Sequence, residues 1–367
     1  MPLYDTDKSA VILDIGTAYT KFGLTGEPVP RAIFRTEVKF KGKLRNLFDY
    51  QNEKELYDML VEFFQEIYFK YAVNSPKDRP IVIVESLLCP ILFRDNIAKV
   101  LFRHYGVSSL LPLSSHLVSV CTLAIDTALV LDVGYKEASC VPICFGVPLI
   151  NAWQTLDIGS SSIHRHLHTL ITEKDAGTSL LSESVLENIK VLCCFVTKKS
   201  RAIQLALPKP DIKLCPNVNY PIEGSATITI EGSIREKAYE VMFTEDNDHL
   251  CLPTMILDAL MNVDLHLRSK LAENILLIGG TTMAIGFKSR LREELVDRLM
   301  DERYKKLNVK CFKFHMSPSK ENFTAWLGGS IYGSTDWLVT KALSRDDYLE
   351  SNKLPDWSDL SYNSRSY

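Results

Sequence analysis

Two carboxylates in the sequence, Asp14 and Asp132, each follow a short apolar run and stand before a β-branched residue and a glycine. Packing gives no reason for an acid at the end of a buried strand. Beside the first acid, Gly16 and Thr17 supply backbone amides and a hydroxyl, and Lys21 is the only cation of the returning strand. An acid for a hydrated metal ion, with amides and a lysine for phosphate oxygens, predicts a nucleotide-phosphate site. Taken alone, this stretch is equally compatible with an ordinary hairpin that has a polar turn.

The stretch at 128–135 repeats the first pattern and makes the functional interpretation stronger. It runs from apolar residues into Asp132 and Gly134, with a return strand over 138–143, and Asp132 lies 132 − 14 = 118 residues after Asp14. An internal repeat of this kind predicts two similar half-molecules of α/β type. Each half would direct an acidic turn towards a shared ligand site.

A third stretch places paired glycines between a strand and a helix. Four apolar residues at 275–278 run into Gly279 and Gly280, and an amphipathic helix is expected over 286–299. Glycines at such a junction let backbone amides lie against a nucleotide. On its own, Gly-Gly is more typical of a plain turn.

Composition sets the broad class of the protein. At 367 residues the chain is long enough for two domains, and a net charge of −3 argues against a general nucleic-acid binder. No apolar run approaches the roughly 20 residues that cross a bilayer, and the first residues lack a signal-peptide pattern. The nine cysteines include no C-x-x-C pair, and the alternating His164, His166 and His168 do not share one helix face. We therefore expect a cytoplasmic protein with free thiols and no metal site formed by these histidines.

The elements that position these residues are predicted from periodicity and turn signals. The serine run at 160–162 resembles a capped helix start, the small residues at 325–331 predict a closely packed helix, and 353–367 is a polar tail. The predicted helices are 53–71, 96–105, 117–125, 185–196 and 254–261, and the predicted buried strands are 81–84 and 110–113.

The order of these stretches resembles the actin superfamily over nearly the whole chain. The matching motifs are Asp14-Ile15-Gly16-Thr17-Ala18 with Lys21, Asp132-Val133-Gly134, Val141-Pro142-Ile143, Ile278-Gly279-Gly280-Thr281-Thr282-Met283, Trp326-Leu327-Gly328-Gly329-Ser330 and Asp346-Asp347-Tyr348. The resemblance implies an α/β actin-like fold with two ribonuclease-H-like domains flanking a nucleotide cleft. The first domain would comprise 1–122 with 324–367, including a short insert at about 32–50 in place of a full pointed-end subdomain, and the second would comprise 123–323.

The resemblance also implies a set of cofactor-binding residues for ATP or ADP with Mg²⁺. Asp14 and Asp132 would reach the metal ion through water. The implied residues are Asp14, Gly16, Thr17, Lys21, Asp132, Gly134, Lys190, Gly279, Gly280, Thr281 and Met283.

Departures from the actin pattern affect the chemistry. Tyr135 and Lys136 stand where actin has an Asp-Gly pair, and Val191 replaces an acid that binds ribose. Ser115 replaces the glutamine near the attacking water, and Ser139 replaces a histidine. Because a serine accepts a proton from water poorly at neutral pH, we expect static nucleotide binding or none, and very slow or absent hydrolysis.

Other departures affect assembly. Between residues 31 and 79 the chain is shorter than actin and lacks the mobile loop that grips the next protomer, and the segment Asp246–Pro253 is short and acidic. Such a protomer could dock on a filament end without accepting another subunit, which is a capping geometry. Trimmed surface loops without this consequence remain the alternative.

Within the superfamily, the combination is similar to the divergent members found in the pointed-end complex of dynactin. The sequence segments on which this likeness rests are 85–90, 234–236 and Leu354-Pro355-Asp356-Trp357. The likeness implies a non-enzymatic cytoskeletal scaffold that supports dynein cargo transport. Its partners would be dynactin's actin-like filament subunit and the small pointed-end proteins, with no nucleic acid and no direct membrane insertion.

Two other functions remain open at this point. One is an ATPase or sugar-kinase-like phosphotransferase, although the motif positions offer no substrate-facing carboxylate beyond Asp14 and Asp132. The other is a nucleotide-binding actin-related subunit of a chromatin-remodelling complex, which the mild negative charge does not distinguish from a cap.

Overall fold

A computed structural model describes residues 9–72, 75–174, 181–207, 211–222 and 227–355. Residues 356–367 of the predicted polar tail, which include Asp356-Trp357, lie outside the described ranges. The strands are β1 (Val11–Ile15), β2 (Tyr19–Leu24), β3 (Ala32–Arg35), β4 (Glu37–Phe40), β5 (Lys43–Asn46), β6 (Ile81–Glu85), β7 (Ser109–Ser114), β8 (Ala128–Val133), β9 (Ala138–Cys144), β10 (Val147–Pro148), β11 (Gln154–Leu156), β12 (Val218–Pro221), β13 (Thr227–Ile230), β14 (Ile275–Ile278) and β15 (Leu343–Ser344). The α-helices are α1 (Glu53–Glu66), α2 (Ile91–Lys99), α3 (Ser115–Cys121), α4 (Ser160–Thr172), α5 (Glu183–Cys193), α6 (Lys199–Leu205), α7 (Gly232–Lys237), α8 (Leu252–Met261), α9 (Leu265–Ala272), α10 (Phe287–Arg298), α11 (Thr324–Gly333), α12 (Trp337–Thr340) and α13 (Arg345–Ser351).

The chain divides into two compact units. The first contains the residues up to Asp126 and those from Ser317 onward, and the second is Thr127–Met316. The resemblance to actin implies domain boundaries after residues 122 and 323. These boundaries stay a prediction.

The first unit is built on a mixed sheet of six strands in the order β15-β7-β6-β1-β2-β3. β1 pairs antiparallel with β2 and parallel with β6, so that Asp14 lies opposite Lys21 on one side and Val84 on the other. The strand and its return were predicted at 10–17 and 19–24, and the structure confirms this hairpin. Val11, Ile12 and Leu13 of β1 are buried, which the continuous apolar run indicated, and Ile15 is partly buried.

Helices cover both faces of this sheet. One face packs against α1 and α2, each of which continues into a π-helical turn, Ile67–Ala72 and Val100–Tyr105. The other face packs against α3 and α11. A Cβ atom placed on Gly328 of α11 would lie 2.2 Å from the Val118 carbonyl oxygen, so the glycine permits the close helix contact that the small residues predicted.

The second unit contains a smaller mixed sheet with the order β10-β9-β8-β14, and β11 also pairs with β9. β8 is antiparallel to β9 and parallel to β14, so Asp132 lies opposite Ser139 and Ile278. The end of β8 therefore repeats the local arrangement at the end of β1. Helices α4, α5, α8 and α10 contribute to one continuous apolar core around this sheet.

Some predicted helix bounds were wrong. The helix expected over 96–105 begins at Ile91, because Pro90 has the extended backbone that precedes a first turn. The helix expected over 117–125 is α3, which ends at Cys121. The chain then turns, and Ala124 adopts a positive φ of 55°, which no helix can continue.

The predicted serine cap of α4 was also wrong. The N-cap residue is Gly159, and no side chain caps this helix. Its first amides donate instead to main-chain carbonyls: Ser160 N to Gly134 O at 3.1 Å and Ser161 N to Tyr135 O at 2.8 Å. The turn after β8 therefore satisfies the helix end, which local sequence could not indicate.

Candidate functional site

The turn between β1 and β2 brings the first group of predicted site residues together. The Lys21 ammonium lies 3.0 Å from the Asp14 carboxylate, and both side chains are about 15% exposed (14% and 15%). The Gly16 amide donates to the Tyr19 carbonyl at 3.1 Å and closes the turn around Thr17. A Cβ atom on Gly16 would lie 2.9 Å from that carbonyl oxygen and 3.6 Å from the lysine nitrogen, so the glycine keeps the lysine end of the turn open.

Two residues that the sequence reasoning missed hold this turn in place. The Thr36 hydroxyl lies 2.6 Å from the Gly16 carbonyl, to which it donates, and the Asn46 amide donates to the Thr17 carbonyl at 2.8 Å. Both come from the segment between β3 and α1. Only the polar residues scattered in that segment could have indicated them, because the contacts join positions 20 and 29 residues apart.

The turn between β8 and β9 positions the second group. The Gly134 amide donates to the Glu137 carbonyl at 3.0 Å. The Gly134 carbonyl accepts the Thr281 hydroxyl at 2.8 Å in addition to the Ser160 amide. Gly134 and Thr281 are therefore in direct contact, two residues after Asp132 in the chain.

Lys190 reaches the same place from α5, but its ammonium is buried. The lysine is 7% exposed and donates to the Ser160 hydroxyl at 3.0 Å, and that hydroxyl lies 2.8 Å from the Thr281 hydroxyl. Burial lowers the pKa of Lys190 to about 8, against the smaller opposing effects of Glu187 and Glu183. Ser160, which the sequence analysis treated only as a capping residue, is thus the partner of the predicted ligand-binding lysine.

The paired glycines after β14 pack directly against the second acidic turn. Gly279 has a φ of +90°, and a Cβ atom there would lie 2.4 Å from the Val133 carbonyl oxygen and 2.5 Å from an Asp132 carboxylate oxygen. No other residue fits this position. Gly280 begins a 3₁₀ turn that ends at Met283, which is exposed.

Tyr135 and Lys136, which stand where actin has an Asp-Gly pair, lie in different environments. The Tyr135 hydroxyl donates to the Glu183 carboxylate at 2.5 Å, and the buried His164 imidazole pairs with the same carboxylate. The hydrogen bond from His164, followed by that from Tyr135, holds the pKa of Glu183 below its usual value. Lys136 is exposed at the tip of the turn. Tyr135 therefore ties the turn to α4 and α5.

Comparison with known proteins identifies the family. A sequence model of the actin family matches residues 53–354. The chain belongs to the actin family. It is 28% identical to Actin-related protein 10 of Dictyostelium discoideum over 96% of this chain and 90% of that protein, and 26% identical to Centractin of Saccharomyces cerevisiae over 93% and 94% respectively.

The positions at which this actin-family protein departs from the hydrolytic pattern lie inside the protein. Ser115 and Ser139 are both buried, and the Ser115 hydroxyl lies 3.3 Å from Nδ1 of His116. Burial lowers the pKa of His116 to about 4, so this imidazole is neutral at pH 7 and a weak base. All three groups are buried, and slow or absent hydrolysis stays a prediction.

The two turns of this actin-family protein differ in how well they fit Mg²⁺ and a nucleotide. The first turn fits, because the Asp14–Lys21 pair is partly exposed and each partner has the charge that a hydrated cation or a phosphate needs. Bound nucleotide would supply phosphate oxygens to Lys21 and its hydrated Mg²⁺ to Asp14. The second turn fits less well. Lys190 donates to Ser160, and Ser160 bonds to Thr281, so these polar atoms already have protein partners.

The described ranges of the chain contain no group of three or more His, Cys, Asp or Glu side chains that could hold a metal ion directly. Within the same ranges no helix has both the length and the apolar character needed to traverse a bilayer.

Proposed function

We propose that this actin-family protein is a non-enzymatic structural subunit that caps the pointed end of the actin-like filament in dynactin. It docks other pointed-end subunits there and so supports dynein cargo transport in the cytoplasm. The ribonuclease-H-like character of each domain and the static binding of ATP or ADP with Mg²⁺ belong to the same proposal.

The short segment between β3 and α1 is the observation that carries this proposal. In the actin pattern this region has a mobile loop that grips the next protomer. Here β4 and β5 have four residues each and join through the two-residue turn Lys41-Gly42, whose positive φ angles of 50° and 79° close a tight hairpin. Val38 and Phe40 bury one face of the hairpin. The described chain therefore has no extended loop at this position with which to grip the next protomer of a filament.

The segment before α8 supports the same conclusion. The Asp246 carboxylate accepts hydrogen bonds from the amides of Asp248 and Leu250, both at 2.9 Å, and the Asp246 amide donates to the Leu250 carbonyl at 3.0 Å. These bonds fold the segment on itself as a compact acidic turn. An apolar plug of the kind that actin uses between filament strands has no counterpart in this turn.

The site chemistry supports a structural function over an enzymatic one. Catalysis of phosphoryl transfer to water needs a group that orients the water and accepts its proton. The corresponding positions are the buried Ser115 and Ser139, and neighbouring His116 is a weak base. Bound nucleotide would therefore persist unhydrolysed.

The relatives also support the proposal, because both alignments run over nine-tenths of the chain and both relatives carry names of actin-related or centractin type. The proposal that the protein belongs to dynactin rests on the segments 85–90, 234–236 and 354–357, which resemble dynactin's divergent pointed-end member.

A filament assay tests the capping function. Purified full-length protein is added to filaments of dynactin's actin-like subunit, and the growth of each end is followed by fluorescence microscopy. We expect growth at the pointed end to stop and growth at the other end to continue. Filaments that grow past the added protein, or self-assembly of the protein alone with Mg²⁺ and ATP, would contradict the proposal. Co-purification from cells with chromatin-remodelling subunits in place of dynactin subunits would favour the remodelling alternative.

A phosphate-release assay tests the enzymatic prediction. We expect the purified protein to release phosphate from ATP no faster than its D14A variant, which lacks the predicted metal-binding carboxylate and reports contaminating activity. Actin measured in parallel is the positive control. Release at the rate of actin that D14A abolishes would show an active ATPase.

A further inference from the structure

The hairpin of β4 and β5 carries three lysines in a protein whose net charge is −3, and one of them, Lys41, has its ammonium 4.9 Å from the centroid of the Phe40 ring. Lys39, Lys41 and Lys43 are all exposed, and within the described residues none of them lies at ion-pair distance from a carboxylate. Arg45, by contrast, pairs with Glu55 at 2.7 Å. Three lysines within five residues place positive charge on both faces of this hairpin, which we call the lysine hairpin: Lys39 lies opposite Leu44 on one face, and Lys43 lies opposite Phe40 on the other.

The lysine hairpin also presents an apolar side chain and a free strand edge. Leu44 is 67% exposed and lies opposite Lys39 on the outer face. The Leu47 amide donates to the Thr36 carbonyl, so in the alternation of an antiparallel pair Leu44 occupies a non-hydrogen-bonded position. Its amide and carbonyl consequently point away from β4. Among the described residues no third strand joins this two-stranded sheet.

We infer that the lysine hairpin binds an extended, acidic segment of a partner protein along the outer edge of β5. Main-chain hydrogen bonds at an exposed edge provide affinity for an extended segment, and side chains on alternating positions provide selectivity. Because Lys39 and Lys43 lie on opposite faces, the partner would present carboxylates on both faces of the added strand, and an apolar residue would cover Leu44. This inference concerns the hairpin alone and does not depend on the capping proposal.

Other occupants fit the observations less well. Lysines on an edge strand repel an identical edge, which disfavours a second copy of this chain. A nucleic acid would meet the negative field of the whole protein and would need a longer basic track than three lysines. An anionic membrane surface is typically bound by clusters of about four to eight basic residues, which the lysine hairpin does not provide.

A peptide-binding experiment on the full-length protein tests this inference. The probe is a fluorescein-labelled peptide of glutamates with a single central valine, which presents carboxylates on both faces of an extended strand, and its binding is followed by fluorescence anisotropy. We expect saturable binding that weakens with salt. The triple variant K39E/K41E/K43E should weaken binding by about tenfold or more, since each exposed ion pair contributes a factor of a few. L44S should weaken it by a smaller factor.

Matched controls separate this site from general electrostatics. The variant K306E/K310E/K320E removes three exposed lysines elsewhere and also changes the net charge from −3 to −9 (−3 − 6), and it should bind the peptide like the wild type. The milder K39Q/K41Q/K43Q repeats the test should charge reversal unfold the hairpin. Equal losses in both glutamate triples, or no loss in the hairpin variants, would overturn the inference. Tighter binding of a single-stranded DNA or of phosphatidylserine vesicles than of the peptide would do so as well.

Discussion

Replacing Lys190 with methionine tests whether this predicted ligand-binding residue is a buried, destabilising charge in the folded protein. The lysine is 7% exposed, and its one described hydrogen bond is to the Ser160 hydroxyl at 3.0 Å. Methionine has a similar length and no charge. Ser160 keeps Thr281 as a partner at 2.8 Å after the substitution, so no buried hydroxyl is stranded.

The expected gain in stability follows from the pKa of the lysine. Burial lowers it from 10.5 in the unfolded chain to about 8 in the folded protein. A difference of this size corresponds to about 3 kcal/mol of destabilisation when the amine is protonated in both states, as it is at pH 7. Loss of the hydrogen bond from the charged amine to Ser160 offsets about 2 kcal/mol. We therefore expect K190M to raise the free energy of unfolding by about 1 kcal/mol at pH 7.

The pH dependence provides a second, independent reading. Between the folded and unfolded pKa values of Lys190 the unfolded state binds more protons, so the stability of the wild type rises with pH in this range. The advantage of K190M should accordingly shrink from pH 7 to about pH 9.5. Urea unfolding followed by tryptophan fluorescence at both pH values measures it. K306M, which changes an exposed lysine, should have no effect at either pH.

Two results would refute this reasoning. If K190M is less stable than the wild type at pH 7, the ammonium stabilises the fold and its hydrogen bond outweighs desolvation. If the difference between the two proteins is constant with pH, the lysine does not titrate in this range and is solvated.

Three further substitutions are expected to destabilise the protein, each measurable by urea unfolding. G279A places a Cβ atom 2.4 Å from the Val133 carbonyl oxygen at a φ of +90°, and it should lower the free energy of unfolding by about 2–4 kcal/mol, with G42A at an open turn position as the milder control. R290M leaves two carboxylates without the buried guanidinium that bonds them at 2.8 Å, and a loss of about 3–5 kcal/mol is expected, whereas an effect below about 1 kcal/mol would mean that the network contributes little. T36V removes the 2.6 Å hydrogen bond to the Gly16 carbonyl and should lower stability by about 1–2 kcal/mol and weaken any nucleotide binding at that turn; unchanged stability would show that water replaces the hydroxyl.

Local sequence was sufficient to predict the acidic hairpins. The return strand 19–24 has the predicted bounds, and β8 occupies the first six residues of the predicted repeat 128–135. A hairpin pairs residues that are near in sequence, so its signal is contained within about ten to fifteen positions. The same locality explains why the helix 286–299 was predicted to within one residue at each end.

Helix ends were harder to predict where distant groups satisfy them. α4 lacks a side-chain cap because the turn after β8 supplies carbonyl acceptors from more than twenty residues away. Ser160 of the serine run does not cap the helix. Its hydroxyl accepts a hydrogen bond from the buried Lys190. Local capping rules cannot anticipate an acceptor that tertiary packing provides.

By itself the sequence determined which side chains this actin-family protein has for chemistry, their order along two repeated hairpins and the residues missing from the hydrolytic pattern. Only the tertiary structure decided which of those groups are available to a ligand. Lys21 remains partly exposed beside Asp14, whereas Lys190 is sealed against Ser160 and Thr281, although both lysines match the family pattern. The reason is physical: a residue's identity is local, but its burial and its hydrogen-bond partners depend on segments more than a hundred positions apart, as Ser160 and Thr281 are.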